Sequence, residues 1–106
     1  MSHPLAHATV QVELARLMIA KAAALYDAGR EMEAGVAANL AKYASAEAAA
    51  LAVDTAIQVL GGNGMTTEYG VASLVAAARA TRIAPVSREM ILNFVAQHSL
   101  GLPKSY

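Results

Sequence analysis

The amino-acid sequence predicts an all-α fold, an up-down bundle of about four helices. About a quarter of the 106 residues are alanine, the strongest helix former, whereas the chain has no tryptophan and one phenylalanine. Apolar residues recur at three- and four-residue steps rather than at every second position, which is typical of amphipathic helices. A chain of this length is expected to form a single domain, residues 1–106, with a small core.

Two long helices are predicted in the first 60 residues. The first covers residues 4–28 and ends at Gly29, because glycine accepts the left-handed conformation that closes many helices. A polar connector, residues 30–33, leads to the second helix, residues 34–60. Two long helices joined by a short connector predict an antiparallel hairpin. The apolar stripe of the first helix comprises Val10, Leu14, Leu17, Met18 and Leu25. The apolar side of the second comprises Val36, Leu40, Tyr43, Leu51, Ile57 and Leu60.

Two further helices are predicted after the glycine-rich stop at residues 61–64. Thr66 or Thr67 is expected to cap a third helix that continues to Arg82. Pro85 disfavours a helical conformation at the preceding residue and is expected to open the fourth helix. The fourth helix should end near residues 101–103. The residues expected to face its core are Met90, Ile91, Phe94 and Val95.

Composition and charge exclude several classes of function. The net charge is zero, so the clustered basic surface that nucleic-acid binding needs is not predicted. Charged residues interrupt every apolar stretch before it reaches the length of a membrane span, and no secretion signal is recognisable, so a cytoplasmic location is predicted. Without cysteine there are no thiolate ligands. His3 and His7 share a helix face, but no third ligand is near, and no metal site is predicted.

The segment with the most chemical information is Gln58-Val-Leu-Gly-Gly-Asn-Gly-Met-Thr-Thr-Glu-Tyr69. Three glycines in four residues allow positive φ angles and the close approach of a ligand to the backbone. The same glycines also suit a simple helix stop followed by a loop. Because no strand precedes them, they match neither the dinucleotide-binding fingerprint nor a phosphate-binding loop. Spacing alone leaves both the ligand-binding and the helix-stop interpretations open.

This segment resembles the acyl-CoA dehydrogenase family, in which Gln-x-Leu-Gly-Gly-x-Gly and then Glu-Tyr follow a long alanine-rich helix. The similarity extends over nearly the whole chain. Ala41-Lys42 stands where the family has Ala-Lys, and residues 83–91 take the place of the family's Tyr-Glu-Gly-Thr-Ser-Glu-Ile. The final residues, 100–106, are similar to the ending of many bacterial members.

The resemblance implies a flavoprotein that oxidises an acyl-CoA thioester to a 2,3-enoyl-CoA and passes the electrons to a partner. A base removes the α-proton while the β-hydride moves to the flavin. Members are usually homotetramers, so self-association as a dimer or tetramer is expected. By position in the motif, Gln58, Gly61, Gly62 and Gly64 are expected to contact the FAD of a neighbouring subunit. The resemblance also places Ser87 and Glu89 against FAD.

Departures from the family pattern affect the expected activity. Pro85 stands where the family usually has its catalytic Glu, and Ala76-Ala77 replaces the family's Arg-Asp pair. No catalytic residue is therefore assigned. Some members carry the base on an earlier helix, which would precede His3.

Other parts of the family's fold have no counterpart in this sequence. These are the N-terminal helical domain, the middle β-domain and the first helix of the C-terminal domain. We therefore expect the chain alone to be inactive and to hold no FAD. The alternative is a stand-alone helical module for interaction or oligomerisation, without redox chemistry.

Overall fold

The structure, a computed structural model, describes residues 2–105. Within that range it contains four α-helices and no strand. The helices are α1 (Ser2–Asp27), α2 (Glu31–Leu60), α3 (Val75–Ala80) and α4 (Arg88–His98). Two 3-10 segments, Gly61–Met65 and Ala72–Leu74, lie between α2 and α3. The predicted all-α class and the number of helices are confirmed.

The helices α1 and α2 form the predicted antiparallel pair. Pro4, near the start of α1, borders the same cavity as Gln58, near the end of α2. At the opposite end of the pair, Ala22 borders a cavity with Ala34. Small side chains occupy the interface and allow the two backbones to lie close together. These buried residues recur at seven-residue steps: Ala8 and Ala15 on α1, and Ala34, Ala41, Ala48 and Thr55 on α2.

The connection between α1 and α2 is shorter than predicted. Gly29 has a φ angle of 77°, and its N–H donates to the carbonyl of Tyr26 over 3.0 Å, so the predicted stop is confirmed. The prediction of a polar connector at residues 30–33 is wrong, because α2 already begins at Glu31. Glu33 accepts hydrogen bonds from Arg30, and acidic side chains in a first turn interact favourably with the helix dipole.

The third helix differs most from its prediction. It begins at Val75 instead of following a cap at Thr66 or Thr67, and it contains only six residues. The hydroxyl of Thr66 donates to the carbonyl of Asn63, which keeps this side chain within the preceding turn. Gly70 then takes a φ angle of 74°, a conformation that interrupts any helix. Residues 66–71 are therefore irregular.

The helix α4 begins three residues later than predicted, at Arg88 instead of Pro85. Ser87 has an extended backbone, and its hydroxyl accepts a hydrogen bond from the N–H of Met90 over 3.2 Å. This interaction satisfies one of the free N–H groups at the helix start, so Ser87 acts as the cap. The end of α4 is as predicted, since the helix stops at His98 and Gly101 has a φ angle of 69°.

The ammonium group of Lys42 on α2 joins the segment before α4 to the rest of the fold. It donates hydrogen bonds to the carbonyls of Thr81 and Ala84, the latter over 3.1 Å. Both carbonyls lie in the chain between α3 and α4. Lys42 therefore holds this connection, with Pro85 next to it, against the middle of α2.

The core is small and consists mainly of alanine. On α4, Ile91 is buried and Phe94 and Val95 are half-buried, as predicted, but Met90 is 43% exposed and does not face the core. The predicted apolar stripe of α1 lies largely outside the core, because the alanine face of this helix packs on α2. Three members of the stripe are at least half exposed: Val10, Leu14 and Leu17.

No helix in the described range, residues 2–105, is both long and apolar enough to cross a membrane.

Candidate functional site

Gln58 lies in the last turn of α2 and is exposed. Within residues 2–105, no hydrogen bond occupies its side chain. It borders a cavity of about 280 Å³ together with Pro4, Asp54, Thr55 and Val59. The carboxamide of Gln58 therefore has both its donor and its acceptor available to a group outside the chain.

Two of the three motif glycines are required by the fold itself. Gly61 closes α2 with φ and ψ angles of 63° and −140°, and its N–H points to the carbonyls of Ile57 and Gln58. Gly64 is buried against α2. A Cβ atom at this position would lie 2.7 Å from the carbonyl oxygen of Ile57 and 2.8 Å from its Cα atom. These contacts explain Gly61 and Gly64 without any ligand.

Gly62 differs from both of its neighbours in the motif. It is exposed, its φ angle lies outside the left-handed region, and a Cβ atom would meet nothing within 4 Å. The fold of the described chain therefore has no need for glycine at this position. Within the glycine-rich segment, Gln58 and Gly62 are the predicted cofactor residues that remain free for an external contact.

Ser87 and Glu89 lie at the start of α4, away from the Gln58 segment. Arg88, between them, lies 3.1 Å from Glu47 on α2. Glu47 precedes Gln58 by 58 − 47 = 11 residues, which corresponds to about 16 Å along a helix. One chain therefore does not bring the two predicted groups together. The hydroxyl of Ser87 is already engaged as the cap of α4, whereas the side chain of Glu89 is exposed.

A charged cluster that the sequence analysis did not identify surrounds Glu47. Its Oε1 atom lies 3.1 Å from the Nε atoms of both Arg82 and Arg88. The guanidinium of Arg88 also lies over the ring of Tyr43, with 5.7 Å between Cζ and the ring centroid. The hydroxyl of Tyr43 and then the carboxylate of Glu47 raise the pKa of Arg88 above its usual value. No periodicity reveals such pairs, because Arg82 follows Glu47 by 35 residues.

A groove of about 400 Å³ runs between α2 and α3, beside this cluster. Its apolar walls include Leu51, Ile57 and Val75. Its charged residues are Glu47, Asp54, Arg79 and Arg82. A ligand in this groove would meet both an apolar wall and guanidinium groups.

Neither Pro85 nor the pair Ala76 and Ala77 carries an acid or a base. Pro85 is exposed in the α3–α4 connection and has no group that accepts a proton. Ala76 and Ala77 are exposed on α3. In the described part of the chain, no three His, Cys, Asp or Glu side chains converge as metal ligands would.

Residues 1–100 match the family of acyl-CoA dehydrogenase C-terminal domains. The chain belongs to the acyl-CoA dehydrogenase family. It is 62% identical to the acyl-CoA dehydrogenase FadE12 of Mycobacterium tuberculosis over 106 residues, all of this chain and 27% of that protein. It is 36% identical to the glutaryl-CoA dehydrogenase of Desulfococcus multivorans over 101 residues, which are 95% of this chain and 26% of that protein.

A mitochondrial relative from Rattus norvegicus, the short/branched chain specific acyl-CoA dehydrogenase, is 35% identical over 98 residues. That alignment covers 92% of this chain and 22% of the rat protein. The chain thus spans about a quarter of the length of these acyl-CoA dehydrogenases. No solved structure matches it at a significant level.

Proposed function

We propose that the chain is the C-terminal part of an FAD-dependent acyl-CoA dehydrogenase that introduces a 2,3 double bond into acyl-CoA thioesters. In this proposal it contributes to the FAD site and to the contacts between subunits. The observation that supports it best is the state of Gln58 and Gly62. Both belong to the family segment, both are exposed, and neither is needed by the fold of this chain.

The residues present suit a flavin nucleotide. The carboxamide of Gln58 can donate to a phosphate or ribityl oxygen, and the absence of a side chain at Gly62 lets the backbone approach a ligand closely. Gly61 and Gly64 shape the turn that carries them. Ser87 and Glu89 are proposed as contacts at a separate FAD. They lie at the start of α4, which packs beside Glu47 on α2, about 16 Å along that helix from Gln58. The flavin, when bound, supplies the acceptor for the hydride.

The catalytic base is proposed to stand on a part of the enzyme outside this chain, as in members that carry it on an earlier helix. Pro85 has no proton-accepting group at the usual family position. Glu47, the half-buried carboxylate of the groove, is already paired with the two guanidinium groups of Arg82 and Arg88. Glu89 serves the start of α4, where a carboxylate is favourable in any helix.

The proposal also includes parts of the enzyme that this sequence does not supply. These are an N-terminal helical domain, a β-domain that covers the flavin, and the first helix of the C-terminal domain. The acyl-CoA substrate and an electron-transfer partner would bind the complete enzyme. The isolated chain is expected to hold no stoichiometric FAD and to have no dehydrogenase activity.

A direct test compares the complete enzyme with the isolated chain. The complete enzyme should copurify with flavin, and an acyl-CoA thioester should bleach its absorbance under anaerobic conditions. The isolated chain should carry much less than one flavin. A colourless complete enzyme that cannot be reconstituted with FAD would refute the proposal. One tightly bound flavin per isolated chain would refute the assignment of its main binding surface to other domains.

The second candidate function is a stand-alone interaction module. The observation that favours it is the exposed apolar stripe on α1, which includes Val10, Leu14 and Leu17. A module of this kind would associate without binding flavin in any form of the protein. The same comparison of flavin content therefore separates the two candidates.

A further inference from the structure

We infer that Lys42 is a positioning residue of the enzyme, which fixes the backbone of the connection between α3 and α4 and thereby aligns the flavin contacts that follow it. Lys42 belongs to the Ala41-Lys42 pair, to which the proposed function gives no role. This role rests on the proposed function, because the contacts to be aligned are those proposed for Ser87 and Glu89. The hold of Lys42 on the backbone is a property of this chain and can be tested separately.

The connection between α3 and α4, residues 81–87, is not held in place by packing. None of its residues is buried, and two of its apolar side chains, Ile83 and Val86, are 62% and 45% exposed. The nearest buried residues are Ala78 on α3 and Ile91 on α4. A segment with so few buried apolar contacts opens easily unless polar contacts hold it. The path of the connection therefore depends on its polar contacts with α2.

The ammonium group of Lys42 makes two of these contacts, and both are with the backbone. It donates hydrogen bonds to the carbonyls of Thr81 and Ala84, the latter over 3.1 Å. Thr81 follows the last residue of α3, where carbonyls have no partner within the helix. No backbone N–H of residues 2–105 donates to either carbonyl. Lysine side chains commonly satisfy such carbonyls at helix ends, and Lys42 does so for both.

The charge of Lys42 is used for this contact alone. In the described chain, Lys42 forms no ion pair with a carboxylate. Hydrogen bonds from a charged donor are about twice as strong as those between neutral groups. A methionine at this position would have a similar length but no donor, so both carbonyls would lose their partner. The hold on the connection therefore requires a cationic donor at position 42.

The flavin contacts of the proposed function follow directly after this hold. Ala84 immediately precedes Pro85, and Ser87 and Glu89 lie within the next few residues. A backbone shift at Ala84 would therefore displace both proposed contacts, and with them the flavin, relative to the substrate. A displacement of about 1 Å between reacting groups can lower a rate by about 100-fold. Lys42 acts on the reaction through the connection and is not itself a flavin contact.

The first test measures how fast an acyl-CoA thioester bleaches the flavin of the complete enzyme under anaerobic conditions. Lys42→Met should lower the limiting rate per bound flavin by about tenfold or more, because both carbonyls lose their donor. The acyl-CoA concentration that gives half the limiting rate should change by less than about threefold. Lys42→Arg keeps a charged donor and should retain most of the rate. A purely structural role would lower the yield of folded enzyme but not the rate per bound flavin.

Lys21→Met is the matched control for the loss of an ammonium group. Lys21 is exposed on α1, and within residues 2–105 it has no hydrogen-bond or ion-pair partner. This variant should keep the rate of the parent enzyme. The parent rate in Lys42→Met, or an equal loss in Lys42→Arg, would overturn the inference. A parent enzyme that never bleaches would refute the proposed function, and the catalytic role of Lys42 with it.

A second test uses the 106-residue protein and involves no flavin. The N–H of Ala84 donates to the carbonyl of Ala80 over 2.9 Å, so its exchange with solvent reports on the connection. In Lys42→Met this amide should exchange about tenfold faster, because the connection opens more often. The amide of Arg30, in the turn between α1 and α2, should exchange as in the parent. Unchanged exchange at Ala84 would show that Lys42 does not hold the connection, whatever the enzyme does.

Chemical rescue separates the amine from other effects of substitution. The chain has no cysteine, so the thiol of the Lys42→Cys variant is the one group of its kind that 2-bromoethylamine can alkylate. Alkylation in urea, followed by refolding, restores an amine on a side chain of lysine length. Lys42→Cys should resemble Lys42→Met, and alkylation should return exchange at Ala84 to within about twofold of the parent. Fast exchange that persists after alkylation would overturn the inference.

Discussion

At the scale of single residues, two glycines of the same motif have opposite surroundings. A Cβ atom at position 64 would lie 2.7 Å from the backbone oxygen of Ile57, whereas one at position 62 would meet open space. We predict that Gly64→Ala lowers the free energy of unfolding by about 2 kcal/mol, because the backbone must shift. Gly62→Ala should leave it unchanged or slightly raised. Urea unfolding of the isolated chain measures both, and equal losses would contradict the structure.

The same contrast makes Gly62 a probe of the flavin site. In the complete enzyme, we predict that Gln58→Ala weakens FAD retention by up to about tenfold through the loss of one hydrogen bond. Gly62→Val should weaken it further by blocking the approach of the backbone. Flavin content after dialysis is the measurement. Gly35→Val is the matched control. Gly35 lies on α2 and, like Gly62, is exposed and has an open Cβ position. Equal flavin loss in the control would remove the support for this site.

At the scale of elements, the cluster at Glu47 joins α2 to both ends of the α3–α4 connection. Its carboxylate is about one-third exposed and faces both Arg82 and Arg88. We predict that Glu47→Gln lowers the free energy of unfolding by about 1 kcal/mol. Glu33→Gln breaks an exposed pair with Arg30 and should cost less than about 0.5 kcal/mol. Urea midpoints of the two variants test this order, and a larger loss at Glu33 would contradict it.

The elements also show where local patterns stop being informative. The stops at Gly29 and Gly61 were predicted correctly, because the conformation of glycine is a local property. The predicted third helix is too long, because Gly70 takes a φ angle of 74° and interrupts any helix that would begin at Thr66 or Thr67. In the structure the hydroxyl of Thr66 turns back to Asn63. The start of the fourth helix was placed at Pro85, but the cap that forms is Ser87.

At the scale of the whole molecule, the exposed apolar stripe of α1 bears on association. Leu17 is 67% exposed and Leu14 is 53% exposed, on a helix whose alanine face packs on α2. Burial of such a surface against a second copy is favourable by about 25 cal/mol per Å² before the cost of association. We therefore predict a sedimentation mass of at least two chains at high micromolar concentration. Leu17→Glu should shift the mass toward one chain.

A matched variant distinguishes this surface from other exposed leucines. Leu100, which follows α4, is 69% exposed, and Leu100→Glu introduces the same charge away from α1. It should leave the sedimentation mass unchanged. A mass of one chain for the unmodified protein at high concentration would show that the stripe is not an association surface.

The sequence by itself determined the helical class, the hairpin of two long helices, their glycine stops and the resemblance to acyl-CoA dehydrogenases. The helical class and the glycine stops depend on helix propensity and on the backbone freedom of glycine, which act over a few residues. The resemblance rests instead on the order of residues in the segment from Gln58 to Tyr69. Only the tertiary structure decided which face of α1 is covered, and that Glu47 faces Arg82 across 35 residues of sequence. It also separated Gly64, which packs on Ile57, from Gly62, which faces open space. Such contacts join residues that are far apart in the chain, or residues that the folded backbone turns toward each other. No local sequence pattern encodes them.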